Sequence, residues 1–466
     1  MKDIAFLCLS HGAYVRNIVY SKLFEALVER FDLKIIFSEG VEVPAGDLDA
    51  LRGCEILHVK IRQHRAESGF VFLRKNVFAG RERTQTFNLI NEIEKLKHPF
   101  AYRIASFANS LLGHFPAIGR WWQRVEARFI PGDEFSSLLD NYRPALVLTA
   151  NYGTEPLEIR LLRAAHRRGI PTLAIVPSWD NLSSKGVIGE PPRYLAVWNR
   201  IMQEEAKSLY GFAPDTVGIV GGLQFDRFAE PFTAQERKSV YDRLGIDPDR
   251  PYVVLGTITP KYFPHNLDLV DILVEDIEQG RLPSDMQLVA RLHPQVIRDR
   301  HFGDNIEEYQ RRAAKSACLK LSIPRVREWG VISPPMPEDF TELGVLLSGA
   351  VAAVMPASTL AIDACALGCP VVGIGFDGHE RKPYERSVLR TFDFTHYRRI
   401  VALNGMRIAK TREEALREIQ AYMADRDRDA EGRAAIVRSH LGDLDGRAWQ
   451  RVMALAESVA ARNRYP

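Results

Sequence analysis

Val351-Ala352-Ala353-Val354-Met355 leads through Pro356-Ala357-Ser358 into Thr359-Leu360-Ala361-Ile362-Asp363-Ala364-Cys365-Ala366-Leu367, and Pro370-Val371-Val372-Gly373-Ile374 closes the run. Apolar residues without alternation predict strands buried on both faces over 351–355 and 370–374. The segment between them predicts a helix over 359–367. Strand, helix and strand with short connections argue a parallel sheet covered on both faces. The same region includes 20 uncharged residues, 343–362, long enough to be weighed as a membrane span. Pro356 interrupts it and Ser358-Thr359 lie near its end, so a buried strand is the expected form.

The rhythm extends in both directions. Strands are expected over 4–9, 33–37, 145–149, 171–176, 194–198 and 216–220, with helices over 15–30 and 156–168. A second series follows Ala229-Glu230-Pro231-Phe232-Thr233. Thr233 and Glu236 have capping-box spacing before a helix over 234–244. Strands over 252–255 and 287–291 enclose a helix over 267–278, and a last helix covers about 446–461. The expected fold class is α/β with two Rossmann-like domains. The first spans 1–230, the second 231–445, and 446–466 forms a terminal helix. An insert over about 60–135 breaks the rhythm of the first domain and predicts helices with loops.

The chain has 466 residues, enough for two to four domains. Its 46% apolar and 26% charged residues fit a globular protein and exclude disordered, collagen-like and coiled-coil classes. A net charge of +3 is too weak to mark a nucleic-acid binder. The charge is uneven, however. Residues 60–129 hold 13 Lys/Arg and 5 Asp/Glu, an excess of +8, and so the remainder totals −5. Aromatic side chains with flanking cations suit the headgroup layer of an anionic membrane; the alternative is an aromatic core beneath a solvated charged face. Five cysteines, none spaced as CxxC, fit a reducing cytoplasm and argue against a disulfide framework or zinc site. The expected location is cytoplasmic, with the insert suited to peripheral contact at the inner face of the plasma membrane.

In an open parallel sheet, ligands bind beyond the carboxyl ends of the strands. Five such positions carry polar groups. The first is Ser10-His11-Gly12, followed by Arg16 and Asn17; it is a small turn before a helix but not a GxGxxG fingerprint. The second is the loop Pro177-Ser178-Trp179-Asp180-Asn181-Leu182-Ser183-Ser184-Lys185-Gly186. The third is Gly256-Thr257-Ile258-Thr259-Pro260-Lys261, whose hydroxyls and lysine suit phosphate. The fourth is Arg291-Leu292-His293-Pro294, with a histidine able to bind phosphate or supply a proton near neutral pH. The fifth is Ser358-Thr359 at a helix start, with Asp363 one turn on; capping alone would also explain Ser358.

In this order, these pieces resemble GT-B glycosyltransferases, closest to bacterial surface-polysaccharide transferases and the CDP-glycerol glycerophosphotransferase group. The resemblance is carried by residues 178–186, Trp198 with Gly221 and Phe225-Asp226, residues 291–294 and 358–364, Gly368-Cys369-Pro370-Val371-Val372, and Leu441-Gly442-Asp443-Leu444-Asp445-Gly446. It implies an acceptor-binding first domain, a donor-binding second domain and a cleft between them. His293 and Ser358/Thr359 would contact donor phosphates, and Asp363 stands where retaining members place a ribose-binding Glu. Eight residues earlier those members carry another acidic residue; here it is Met355, which speaks against that retaining motif. No DxD motif stands in a suitable loop, so no metal and no resident cofactor are expected.

The resulting expectation is a transferase moving a sugar from a nucleotide-sugar donor to a glycan or lipid-linked acceptor. Asp180, with Glu155 as runner-up, would deprotonate the acceptor hydroxyl. His293, Lys261, Ser358 and Thr359 would stabilise the departing nucleotide phosphate, with Thr257, Thr259, Arg291 and Asp363 completing the donor side. His11, Arg16, Asn17, Trp179, Asn181 and Lys185 form the acceptor side. Three alternatives stand beside it: an alditol-phosphate transferase of CDP-glycerol type, a non-hydrolysing nucleotide-sugar 2-epimerase, and a two-domain binding protein without catalysis.

Overall fold

The computed structural model describes residues 2–62, 64–78, 84–97, 99–112, 115–260, 263–298 and 305–462. The chain divides into two compact units. Unit 1 comprises 1–226, 327–334 and 447–466; unit 2 comprises 227–326 and 335–446.

Unit 1 holds a seven-stranded sheet: β1 Ile4–Cys8, β2 Asp32–Ser38, β3 Glu55–Val59, β4 Leu146–Thr149, β5 Thr172–Ile175, β6 Tyr194–Val197 and β7 Val217–Ile219. Their order is β3-β2-β1-β4-β5-β6-β7 and every pairing is parallel. Both faces are covered: Ala5 and Leu7 of β1 join one core cluster, Phe6 and Cys8 the other. This explains why the strands read as continuous apolar runs. The helix expected over 15–30 is in fact two, Gly12–Ile18 and Lys22–Arg30, with Ser21 in extended conformation starting the second.

Unit 2 holds a six-stranded parallel sheet: β8 Tyr252–Gly256, β9 Gln287–Arg291, β10 Leu319–Ser322, β11 Ala353–Met355, β12 Val371–Ile374 and β13 Arg407–Ala409. Their order is β10-β9-β8-β11-β12-β13. The uncharged stretch at 343–362 divides into the end of helix Pro337–Gly349, the buried β11 and the start of helix Leu360–Ala366. Among the described residues no helix is long and apolar enough to cross a membrane. The capping box at Thr233 and Glu236 is formed on helix Ala234–Leu244.

Unit 1 is discontinuous, whereas the sequence reading leaves 327–334 in the second domain and sets the terminal helix apart. Helix Ala448–Ala461 buries Val452, Ala456, Val459 and Ala460 in the unit 1 core. Each fully buried valine of this set is worth about 1.5–3 kcal/mol. Residues 327–334 place Trp329, wholly buried, edge-on to Phe37 at 6.2 Å between ring centroids. Its indole Nε1 donates to Asp47 at 2.6 Å. The next residue, Gly330, has φ +66°, and a Cβ there would stand 2.0 Å from the Gly40 carbonyl oxygen, so only glycine fits.

The insert forms helices Glu67–Asn76, Gln85–Lys97, Pro99–Leu112 and Pro116–Phe129. Its aromatics split into two sets. Phe70, Phe78 and Trp122 pack together, with Phe78 stacked on Trp122 at 4.7 Å, and Phe72 meets Tyr102 at 5.5 Å. Phe100, Phe107, Phe115, Trp121 and Phe129 are exposed. Within the insert, the buried Arg74 donates to both carboxylate oxygens of buried Glu126 at 2.6 and 2.8 Å.

Candidate functional site

In each sheet the strand order reverses beside the first strand of its unit, at β1/β4 in unit 1 and at β8/β11 in unit 2. Such a switch point leaves room beyond the strand ends for a ligand. The chemistry-bearing loops collect at these two places.

In unit 2 the loops after β8 and β9 are tied together: the His293 backbone N–H donates to the Thr257 hydroxyl at 2.8 Å. Asn266 braces the first loop, accepting from the Ile258 N–H at 3.0 Å and donating to the carbonyls of Ile258 and Phe263. The His293 ring accepts the Gln295 N–H at Nδ1, at 3.1 Å. A ring accepting at Nδ1 carries its proton at Nε2, and Nε2 has no partner among the described residues. Burial, with the Arg291 charge second, pushes the imidazole down to about 4. His293 is therefore neutral at pH 7 and presents a hydrogen-bond donor, rather than the near-neutral proton source that the sequence suggests.

Arg291 is already engaged. Its guanidinium donates to Asp339 at 2.6 Å, to Ser322 at 3.0 Å and to Glu342 at 3.3 Å, all buried. Arg243 adds a second cation on Glu342 at 2.6 Å. Arg291 thus serves the interior of unit 2, a structural task beside the donor contact expected from sequence. Ser358 is half-buried, its hydroxyl accepting from the Leu360 N–H at 3.3 Å and its own N–H donating to Tyr397 at 3.2 Å. Thr359 is exposed, Thr259 half-buried, and Asp363 buried. Lys261 lies outside the described residues. A cluster absent from the sequence reading stands nearby: the His265 ring meets Asp268 at 3.0 Å and also contacts Lys382, while Glu380 approaches Lys382 at 3.4 Å.

In unit 1, His11 caps its own helix, its Nδ1 accepting from the Ala13 N–H at 3.1 Å. Arg16 donates to Asn17 at 2.9 Å, and Asn17 donates to Gln224 at 2.9 Å. The Asp180 carboxylate accepts from the hydroxyls of Ser178 and Ser184 and from the Asn181 amide. That closes the loop on itself and gives Asp180 a structural task. Trp179 and Asn181 are buried and Lys185 is exposed. Glu155 is exposed at the start of helix Pro156–Arg167.

One turn on, Glu158 is wholly buried, and no hydrogen bond of ordinary geometry reaches either carboxyl oxygen. Burial pushes it up to about 8, against a lowering by the neighbouring Ser10 hydroxyl, so it is protonated at neutral pH. Tyr14 accepts from the Asn151 amide at 3.2 Å; burial dominates the rise of its phenol, and Glu158 and Glu155 add to it. Lys75, from the insert, is held below its ordinary value by burial and by Arg74, with Glu155 and Lys185 also acting on it. Sequence reasoning missed Glu158 and Lys75. A carboxyl one turn after Glu155, between the apolar Leu157 and Ile159, was the available signal for the first; nothing local marks the second. Among the described residues no group of three or more His, Cys, Asp or Glu could hold a metal ion.

No protein-family model matches the chain. No curated protein matches its sequence. Solved structures do match its fold. UDP-GlcNAc 2-epimerase from Neisseria meningitidis bound to UDP-GlcNAc is 12% identical, covers 97% of this chain and 99% of its own, and gives a TM-score of 0.56. UDP-GlcNAc 2-epimerase from Methanocaldococcus jannaschii is 13% identical over 98% of this chain and 100% of its own, with a TM-score of 0.53. A glycosyltransferase from Rickettsia africae is 10% identical over 98% of both chains, with a TM-score of 0.51. The fold is of the GT-B type. At such identities the likeness is one of fold, and it does not extend to the CDP-glycerol group.

Proposed function

We propose that the chain is an enzyme acting on a nucleoside-diphosphate sugar of the uridine type. The observation that carries this is His293, just past the end of β9, its backbone tied to Thr257 and its Nε2 without a partner among the described residues. A neutral donor suits a diphosphate whose bond to the anomeric carbon breaks. The fold neighbours support the donor class, since two of them are UDP-GlcNAc enzymes.

Among chemistries that break this bond, the neighbours favour epimerisation at C2, without an acceptor. The diphosphate leaves the anomeric carbon as a proton leaves C2; a second proton then arrives at C2 from the opposite face and the diphosphate returns to the anomeric carbon. The reading requires no resident cofactor. Transfer to an acceptor is the second reading. A cleft of about 710 Å³ in unit 1, lined in part by His58, Lys60, Arg62 and His64, offers room for a glycan that an epimerase would not need.

The test has two stages. Thermal shift across UDP, CDP, GDP and ADP should single out UDP, because a ligand at a hundredfold its Kd adds about 2.7 kcal/mol to native stability. Incubation with UDP-GlcNAc in deuterated water should then place deuterium at C2 without an acceptor. A UDP shift without exchange at C2 leaves transfer; no shift with any nucleotide ends the proposal.

A further inference from the structure

The inference concerns the insert and does not rest on the donor reading. Helix Pro99–Leu112 leaves Phe100, Ile104, Phe107 and Leu111 exposed, at 76, 56, 68 and 57% of their surface. Spacings of four, three and four residues place all four on one narrow helical face. The opposite side packs inward through buried Ala105 and through Tyr102 against Phe72. Exposed Phe115 precedes helix Pro116–Phe129. That helix exposes Arg120, Arg124 and Arg128, four residues apart, with Trp121 beside them. Among the described residues these three arginines, and Arg103 on the edge of the apolar face, have no ion-pair partner. Single exposed apolar residues are ordinary on protein surfaces; a continuous stripe on one helix, in an insert whose next helix exposes a row of arginines, is not.

We propose that this insert docks the protein on an anionic lipid surface. The stripe Phe100, Ile104, Phe107 and Leu111 enters the boundary between headgroups and acyl chains, and Trp121 sits at headgroup level. Arg103, Arg120, Arg124 and Arg128 meet lipid phosphates, the charge complement that they lack among the described residues. The excess of +8 over residues 60–129 supplies longer-range attraction. A second copy of the chain fits the same face less well. A twofold interface sets a patch against itself, so the arginine rows would approach each other without a counter-charge.

Flotation with vesicles tests this. The full chain should float with phosphatidylcholine vesicles containing about one quarter phosphatidylglycerol and remain behind with pure phosphatidylcholine. Binding should fade as salt rises from about 0.05 to 0.5 M. The triple variants Phe100→Ser/Phe107→Ser/Leu111→Ser and Arg120→Ser/Arg124→Ser/Arg128→Ser alter only exposed positions. Each should lower partitioning at least about tenfold, with an unchanged melting temperature and unchanged thermal shift by UDP. Equal flotation with neutral lipid, none with either, or wild-type binding by both variants overturns the proposal. So does sedimentation as a dimer that the Phe/Leu variant dissolves, which would assign the face to a second copy.

Discussion

The backbone N–H of His293 and the hydroxyl of Thr257 are 2.8 Å apart, and this bond fixes the loop after β9 to the loop after β8. Replacing His293 by Ala should lower turnover by at least about a hundredfold, the scale for losing a positioned donor at a developing charge. The melting temperature should change little. Near-normal turnover by the folded variant would remove His293 from the reaction.

Acid should expose the same residue. His293 and His440 are both held down to about 4 by burial. The unfolded chain takes up these protons near the ordinary value of about 6.5, so the native state binds fewer protons between there and about 4. Their contribution is complete above about 6.5 and is lost as pH falls through this window. Urea unfolding at pH 7 and at pH 5 should show the loss, and His293→Gln should reduce it. An unchanged slope would mean that the imidazole is not buried neutral.

Glu158 has the opposite sign. Its folded value is raised to about 8, so the native state holds a proton that the unfolded chain releases near about 4.5. Stability is complete below the unfolded value and falls as pH rises through about 8. Glu158→Gln removes this dependence. It should be more stable than the parent at pH 9, by an amount of the order of a few kcal/mol. A parent protein equally stable at pH 6 and pH 9 would refute this account.

Arg291 bridges Asp339 and Glu342 in the interior of unit 2. Arg291→Met leaves these buried carboxylates short of a cation and should cost about 3–5 kcal/mol. Chemical denaturation would measure it. A variant of parental stability that no longer binds nucleotide would instead assign Arg291 to the donor side.

Asp180→Asn tests a structural assignment. The carboxylate gathers Ser178, Asn181 and Ser184. The amide should cost about 1–2 kcal/mol in lost charge-assisted bonding and lower activity along with stability. Loss of activity at an unchanged melting temperature would make Asp180 the base expected from sequence.

The central strands were legible in the sequence and several edge strands were not. β1, β4, β8 and β11 are buried on both faces and read as apolar runs, and β9 keeps an apolar centre between Gln287 and Arg291. β3, β10 and β13 lie at sheet edges. Their sequences, Glu55-Ile-Leu-His-Val, Leu319-Lys-Leu-Ser and Arg407-Ile-Ala, carry polar residues that burial on one side permits. The loop after β9 could be located because a strand end beside proline is a local feature. The engagement of Arg291 could not, since Asp339 and Glu342 are 48 and 51 residues away. Nor could the break at Ser21, because the apolar pattern runs through both helices.

The composition of unit 1 from three chain segments bears on the order of events during synthesis. Its sheet is complete once β7 has left the ribosome, but the face that takes Val452 and Val459 stays uncovered until the last helix arrives. Unit 2 lies between, and all of its strands emerge earlier. The nascent chain must therefore carry an apolar sheet face without its natural cover through more than two hundred residues of elongation. A truncation after residue 446 would make that interval permanent. Holdase chaperones, which protect exposed apolar surface, would then bind the N-terminal half in preference to unit 2.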